Sequence, residues 1–232
     1  MKFFKTHVAL LVWRIILLYV VLMLCRLLFY VYNITLIGEI PFSEWWSLVC
    51  GSLKFDTVSI LYTNALSILL SLFPLRVRER RWWRRIKAWY YVAANSLLIV
   101  VTNLADAIYF HYTQKRFTAD EIFFADNSNS PLLVLQFALE NWYLVVAGVA
   151  LIAVLAVGYR RKIEPAAIMR GAYYYAASLL LLCGAVAMSI AGIRGGFSRM
   201  ARPTAIPYAM KFATDGDKAN IVLSNPFCIL RT

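Results

Sequence analysis

The sequence predicts an all-α fold: an integral membrane bundle of about five transmembrane helices with short interfacial helices, N-terminus in the cytoplasm and C-terminus outside. Three observations carry this expectation. The 232 residues are 62% hydrophobic with a mean hydropathy of +0.66, against the ~45–50% apolar usage of globular domains. The apolar residues fall in five runs, most of them near the ~20 residues that cross a hydrocarbon core. The formal charge of +12 gathers in short stretches between alternate runs, the distribution that membrane insertion reads. A nucleic-acid binder would instead collect its basic residues on one face or in a tail, so that class is set aside.

The first span runs from about Val8 to Val31. It follows a basic Met1–Lys5 but is too long for the ~7–15-residue apolar region of a signal peptide, and no small-residue cleavage site follows. The second is Thr57–Leu75, closed by Pro74, and the third is Ala88–Phe110. The apolar run Pro131–Val157 is interrupted by Glu140-Asn141. A charge near mid-membrane costs at least ~2.5 kcal/mol, so Pro131–Leu139 is expected along the outer interface, with the fourth crossing starting at the Trp142-Tyr143 anchor. The fifth span is Ala172–Ile193. Ser43-Glu44-Trp45-Trp46 after Pro41, and Thr118–Phe124 with its capping-box spacing, read as short helices on the outer leaflet.

Orientation follows from Lys and Arg. Arg76–Lys87 carries seven basic residues against Glu79 alone, and the stretch after span four adds Arg160, Arg161, Lys162 and Arg170. The opposing loops carry only Lys54, Lys115 and Arg116. The basic loops are therefore expected inside, which leaves Arg194–Thr232 outside after an odd number of spans.

Polar residues within or beside the spans are informative, because their desolvation must be offset by a partner. Arg26, Asp56, Asp106 and His111, on three spans, share one depth near the outer surface. Two readings stay open. One is a structural network in which Arg26 pairs with Asp56 or Asp106. The other is a rim pocket for an anionic lipid head group, with Arg26, Arg116 and Arg194 on the phosphate. Asn64, Asn95 and Asn103 fit interhelical hydrogen bonding. Cys25, Cys50, Cys183 and Cys228 have no C-x-x-C spacing and no histidine partners, so no metal is assigned. Cys50 and Cys228 both fall outside, where a disulfide is open to them.

After Arg194-Gly195-Gly196-Phe197, the chain has too few apolar residues to form a core alone. It ends on an apolar, helix-forming Cys228–Thr232 that reads as an interruption of a longer protein. Several short motifs here resemble the membrane half of the lipoteichoic acid synthase-like phosphoglycerol transferases, of the alkaline phosphatase and sulfatase superfamily. They are Arg26-Leu27-Leu28-Phe29, Lys54-Phe55-Asp56, Asp106-x-x-Tyr109-Phe110 with Lys115–Thr118, Arg194-Gly195-Gly196, and Ala219-Asn220 to Leu230-Arg231-Thr232.

The resemblance implies a five-span domain over residues 1–193. Residues 194–232 would then be an extracytoplasmic juxtamembrane linker to a catalytic domain missing from this chain. That domain would hold a Thr or Ser nucleophile and a divalent metal, and would move a phosphoglycerol-type head group from a lipid in the bacterial inner membrane. No catalytic residue carries over onto this chain, which alone is expected to be inactive. The alternative is a stand-alone, non-enzymatic membrane protein that binds anionic lipid or a partner subunit. A transporter is disfavoured, since repeated halves and midplane polar residues are lacking.

Overall fold

A computed structural model describes residues 2–72, 80–123, 131–160, 172–194 and 205–231. The basic residues 76–79 and 161–170, Gly195-Gly196 and Thr232, which figured in the sequence reading, lie outside them. The described elements are α1 (Lys2–Tyr32), a short α2 (Ile34–Ile37), α3 (Phe42–Leu72) and α4 (Arg81–Asn95). A π-helical segment (Ser96–Val101) then leads into α5 (Thr102–Thr113). They continue with α6 (Ala119–Phe123), α7 (Pro131–Glu140), α8 (Trp142–Tyr159) and α9 (Ala172–Arg194). A 3-10 helix (Ile206–Lys211), α10 (Gly216–Val222) and α11 (Asn225–Arg231) end the chain.

Among the described residues, five helices are long and apolar enough to cross a membrane: Val8–Tyr32, Phe42–Leu72, Arg81–Thr113, Trp142–Tyr159 and Tyr175–Arg194. This is a multi-pass, all-α membrane bundle. With no polar face to present, α1 divides its apolar surface by geometry instead. Val12, Ile16, Val20, Leu24, Leu27 and Val31 form an exposed stripe at helical spacing, while Leu18, Val21, Leu22, Cys25 and Phe29 are buried. The main core joins that buried face to Ile60, Tyr91, Ile99, Val100, Leu104, Leu144, Leu151 and Leu155.

Two boundaries differ from the sequence reading. Ser43–Trp46 is not a separate interfacial helix but the start of α3, which is continuous over 31 residues. At 1.5 Å per residue it is about 46 Å long, so about ten of its residues exceed the ~30 Å hydrocarbon core. Arg81–Lys87 is likewise helical, forming the first turns of α4 rather than a loop. The expected break at Glu140-Asn141 is present. Asn141 separates α7 from α8, with its amide donating to the Phe137 carbonyl at 3.0 Å and its Oδ1 accepting from Tyr32 at 2.8 Å. Gly38, at φ 78°, takes the left-handed conformation between α2 and α3 that a side chain would strain.

Small and polar residues set the helix contacts. Asn64 and Asn95 exchange amide hydrogen bonds at 2.8 and 2.9 Å between α3 and α4, as the reading of Asn64 and Asn95 anticipated. Gly158 lets α8 close onto Leu17 of α1, and its carbonyl accepts from Trp13 Nε1 at 3.0 Å. Gly192 brings α9 against Leu61 and Thr57 of α3.

The chain after Ala205 packs against the bundle. The 3-10 helix, α10 and α11 pack over one end of α1, α3 and α5, called here the capped end. Ala209, Ala219, Val222, Leu223, Phe227 and Cys228 share a core there with Leu48, Phe55 and Val58 of α3. The extra length of α3 supplies part of the apolar surface that residues 205–231 lack by themselves. Phe212 lies directly on the α carbon of Gly51, where any Cβ would come within 2.7–2.8 Å of its Cδ2 and Cβ atoms.

Candidate functional site

Arginine is favourable in a low-dielectric setting only when several of its donors are matched. The capped end matches most of those of Arg26 and Arg116, leaving the buried Arg26 Nη1 and Arg116 Nε without a hydrogen-bond partner among the described residues. Arg26, late in α1, reaches Asp56 Oδ1 through Nη2 at 2.8 Å. It also donates to the α10 carbonyls, from Nε to Ile221 at 2.7 Å and from Nη2 to Val222 at 3.4 Å. Arg116, after α5, donates to the Leu223 carbonyl at 2.5 Å and stands 2.6 Å from Asp106 Oδ2. That second contact is off the hydrogen-bonding axis, so charge holds it rather than an aligned hydrogen bond. The Arg116 guanidinium also lies 4.3 Å above the Phe29 ring.

The two cations thus close the C-terminal end of α10. Its last carbonyls have no intrahelical donors and carry the negative end of the helix dipole. Further hydrogen bonds tie the α5–α6 connection and the C-terminal segment into the network, while Asn225 Oδ1 is buried without a hydrogen-bond partner among the described residues. Asp106 Oδ1 accepts from the Phe117 amide at 2.6 Å. Asn225 donates its backbone N–H to Asn103 Oδ1 at 3.0 Å and its side-chain amide to the Phe117 carbonyl at 2.9 Å. Ser224 and Ser59 share a hydroxyl hydrogen bond at 2.8 Å. Arg26, Asp56, Asp106, Ser59, Ser224 and Asn225 are all buried.

Four of the six residues singled out in the sequence therefore meet: Arg26, Asp56, Asp106 and Arg116. Each arginine takes one aspartate, and Arg26 pairs with Asp56 rather than Asp106. His111 is exposed and set apart, with Nδ1 3.3 Å from Asn33 Oδ1 and its ring edge-on to Tyr32. Arg194 is exposed at the end of α9 and takes no part in the described network. Ser224 and Asn225 were not singled out, although a polar pair between Leu223 and Phe227 is a sign of buried, specifically partnered groups.

An outer clip supplements the network. Lys218 Nζ lies 2.9 Å from Glu44 Oε2, and Thr214 Oγ1 donates to Glu44 Oε1 at 2.6 Å. Glu44 beside it raises the Lys218 ammonium above the usual lysine range. Burial raises the Cys228 thiol, which keeps it protonated and unreactive. No disulfide joins it to the exposed Cys50.

Among the described residues no group of three His, Cys, Asp or Glu side chains is placed to hold a metal ion. The divalent metal that the resemblance implies is expected in the catalytic domain rather than in this chain, and no step is derived through it here. Comparison with family models, with curated proteins and with solved structures finds no match.

Proposed function

We propose that this protein is the membrane-embedded, lipid-presenting half of a phosphoglycerol or related lipid head-group transferase. It would lie in a bacterial cytoplasmic membrane with the capped end outside. The observation that carries the reading is the clamp of Arg26 on the last α10 carbonyls, Ile221 and Val222, and of Arg116 on the Leu223 carbonyl that follows. A catalytic domain acting on a lipid head group must be held at a fixed height over the bilayer, since misplacement by ~1 Å costs rate. A flexible tether would not provide that, whereas buried ion pairs that grip backbone carbonyls make the connection stiff. The residues that carry the family resemblance also support it. Arg26, Asp56, Asp106, Arg116 and Asn225 are far apart in sequence and belong to one network.

In this reading the chain binds and orients lipid. The nucleophile and a divalent metal that would stabilise the transferring phosphoryl group belong to the catalytic domain. The alternative, a stand-alone membrane protein without chemistry, draws support from the same arginines. Most of their donors are spent on their own chain rather than left for a ligand, although the buried Arg26 Nη1 and Arg116 Nε have no hydrogen-bond partner among the described residues.

The coding sequence past the Thr232 codon and an assay of the purified 232-residue chain test the proposal. The expected result is an in-frame continuation with a Thr or Ser nucleophile and acidic and histidine metal ligands. The short chain should release no head group from labelled phosphatidylglycerol. A stop codon at that point, or turnover by the short chain, would overturn it.

A further inference from the structure

A groove of about 450 Å³ runs between three helices, separate from the arginine network. Its walls are helical stripes: Leu11 to Tyr19 on α1, Lys54 to Ile68 on α3, and Ala185 to Gly192 on α9. It exists because α9 is held to α3 through Gly192 and leaves a gap toward α1. From Lys54 to Ile68 the α3 wall descends about 21 Å, more than the roughly 15 Å of one leaflet of a ~30 Å core.

The walls are apolar over their length, with polarity gathered toward one end. The hydroxyls of Tyr19 and Thr57 pair with each other at 2.5 Å and so offer an apolar face to the groove. At the mouth stands Lys54, exposed, with Nζ 5.6 Å from the Tyr208 ring and 5.3 Å from that of Phe212. Lys211 approaches the same Tyr208 ring at 4.7 Å and is also exposed. Neither lysine has a carboxylate partner among the described residues. Both ammonium groups neighbour the Tyr208 ring, and like charges gathered at one place favour an anion beside them.

We propose that this groove seats one acyl chain of an anionic phospholipid, whose phosphate is bound by Lys54 and Lys211. Size selects a lipid tail over a protein. A partner helix about 10 Å across, over a 20 Å length, would need well over 1,000 Å³. The available volume instead falls in the range of small-molecule sites, about 300–1,000 Å³. Surroundings select it too, since three membrane-spanning helices line the groove and its charged mouth lies at the capped end. The site rests on the lipid-presenting part of the proposed function but not on its transferase part.

The test uses the whole chain, delipidated in detergent and titrated with dioleoylphosphatidylglycerol or dioleoylphosphatidylcholine, with bound lipid counted by native mass spectrometry. The wild-type chain is expected to prefer the anionic lipid about thirtyfold, from roughly 1 kcal/mol for each of the two lysines. Lys54→Gln with Lys211→Gln should abolish that preference and leave phosphatidylcholine binding as it was. Ser189→Phe, which fills the groove, should weaken both lipids. Independently of any variant's folding, the wild-type chain is also photolabelled with phosphatidylglycerol bearing a diazirine in its acyl chain. Label is expected on peptides spanning Leu11–Tyr19 and Ala185–Gly192. Label spread evenly over exposed faces such as Val145 and Val149 would mean annular lipid only and overturn the site. Equal affinity for both lipids, or a dimer cross-linked through α9, would overturn it as well. Such failures would leave the coding-sequence test of the transferase reading standing.

Discussion

Arg26 is a residue whose donors decide the packing of a distant segment. Its planar fork reaches a carboxylate on α3 and two carbonyls of α10 at once, which a lysine ammonium on a flexible stem does not reproduce. Arg26→Ala would leave Asp56 buried without its cation, and losing one partner of a buried pair costs about 3–5 kcal/mol. We expect a lower melting temperature in nanodiscs and faster proteolysis after Ala205. Co-purified anionic lipid should be unchanged, because the guanidinium is turned toward protein. Loss of lipid without loss of stability would instead assign Arg26 to a head group. Arg116 follows the same logic through Asp106 and the Leu223 carbonyl. His111 and Arg194 share no such partners, and their substitution should not move the melt.

Among the elements, the 3-10 helix is seated by one close approach, Phe212 on Gly51. The clash at a Cβ there involves atoms near the root of the Phe212 side chain, which have little freedom to move aside. Gly51→Val should therefore lift the 3-10 helix and loosen α10 and α11 behind it. Cys228 reports this directly, being buried in the same core as Phe227 and Val222. In the wild-type chain a maleimide should modify the exposed Cys50 and spare Cys228. In Gly51→Val it should modify both, and continued protection of Cys228 would show that α11 is held without the 3-10 helix. By contrast, α9 is held largely by one helix face, with Leu179, Leu180, Met188 and Ile190 exposed, and the groove beside α1 is the consequence.

Over the whole molecule, the distribution of charge predicts which end faces which compartment. The basic start of α4 and the capped end lie at opposite ends of the spans, and the positive-inside rule predicts that the basic end faces the cytoplasm. In intact cells a membrane-impermeant maleimide should label Cys50. Arg84→Cys, in a Cys50→Ser background, should be labelled only after permeabilisation. The reverse pattern would invert the orientation, and with it the side on which any catalytic domain could sit.

Spans and their number were legible in the chain because a run of about 20 apolar residues is a local property, and its cost outside lipid needs no knowledge of neighbours. The break at Glu140-Asn141 was legible for the same reason, as was the polar depth shared by Arg26, Asp56 and Asp106. Partner choice was not. Whether Arg26 takes Asp56 or Asp106 depends on how α1, α3 and α5 rotate against one another, and Arg116 entering from the loop settles that Asp106 is taken. Ser43–Trp46 carried the marks of an interfacial helix, and only packing against residues 205–231 shows why α3 runs on through it. The C-terminal residues, too few to form a core by themselves, find one on the extended end of α3. Sequence by itself determined which segments belong in a membrane; the tertiary structure decided which polar groups meet there, because distances between helices arise from packing and from nothing local to any one of them.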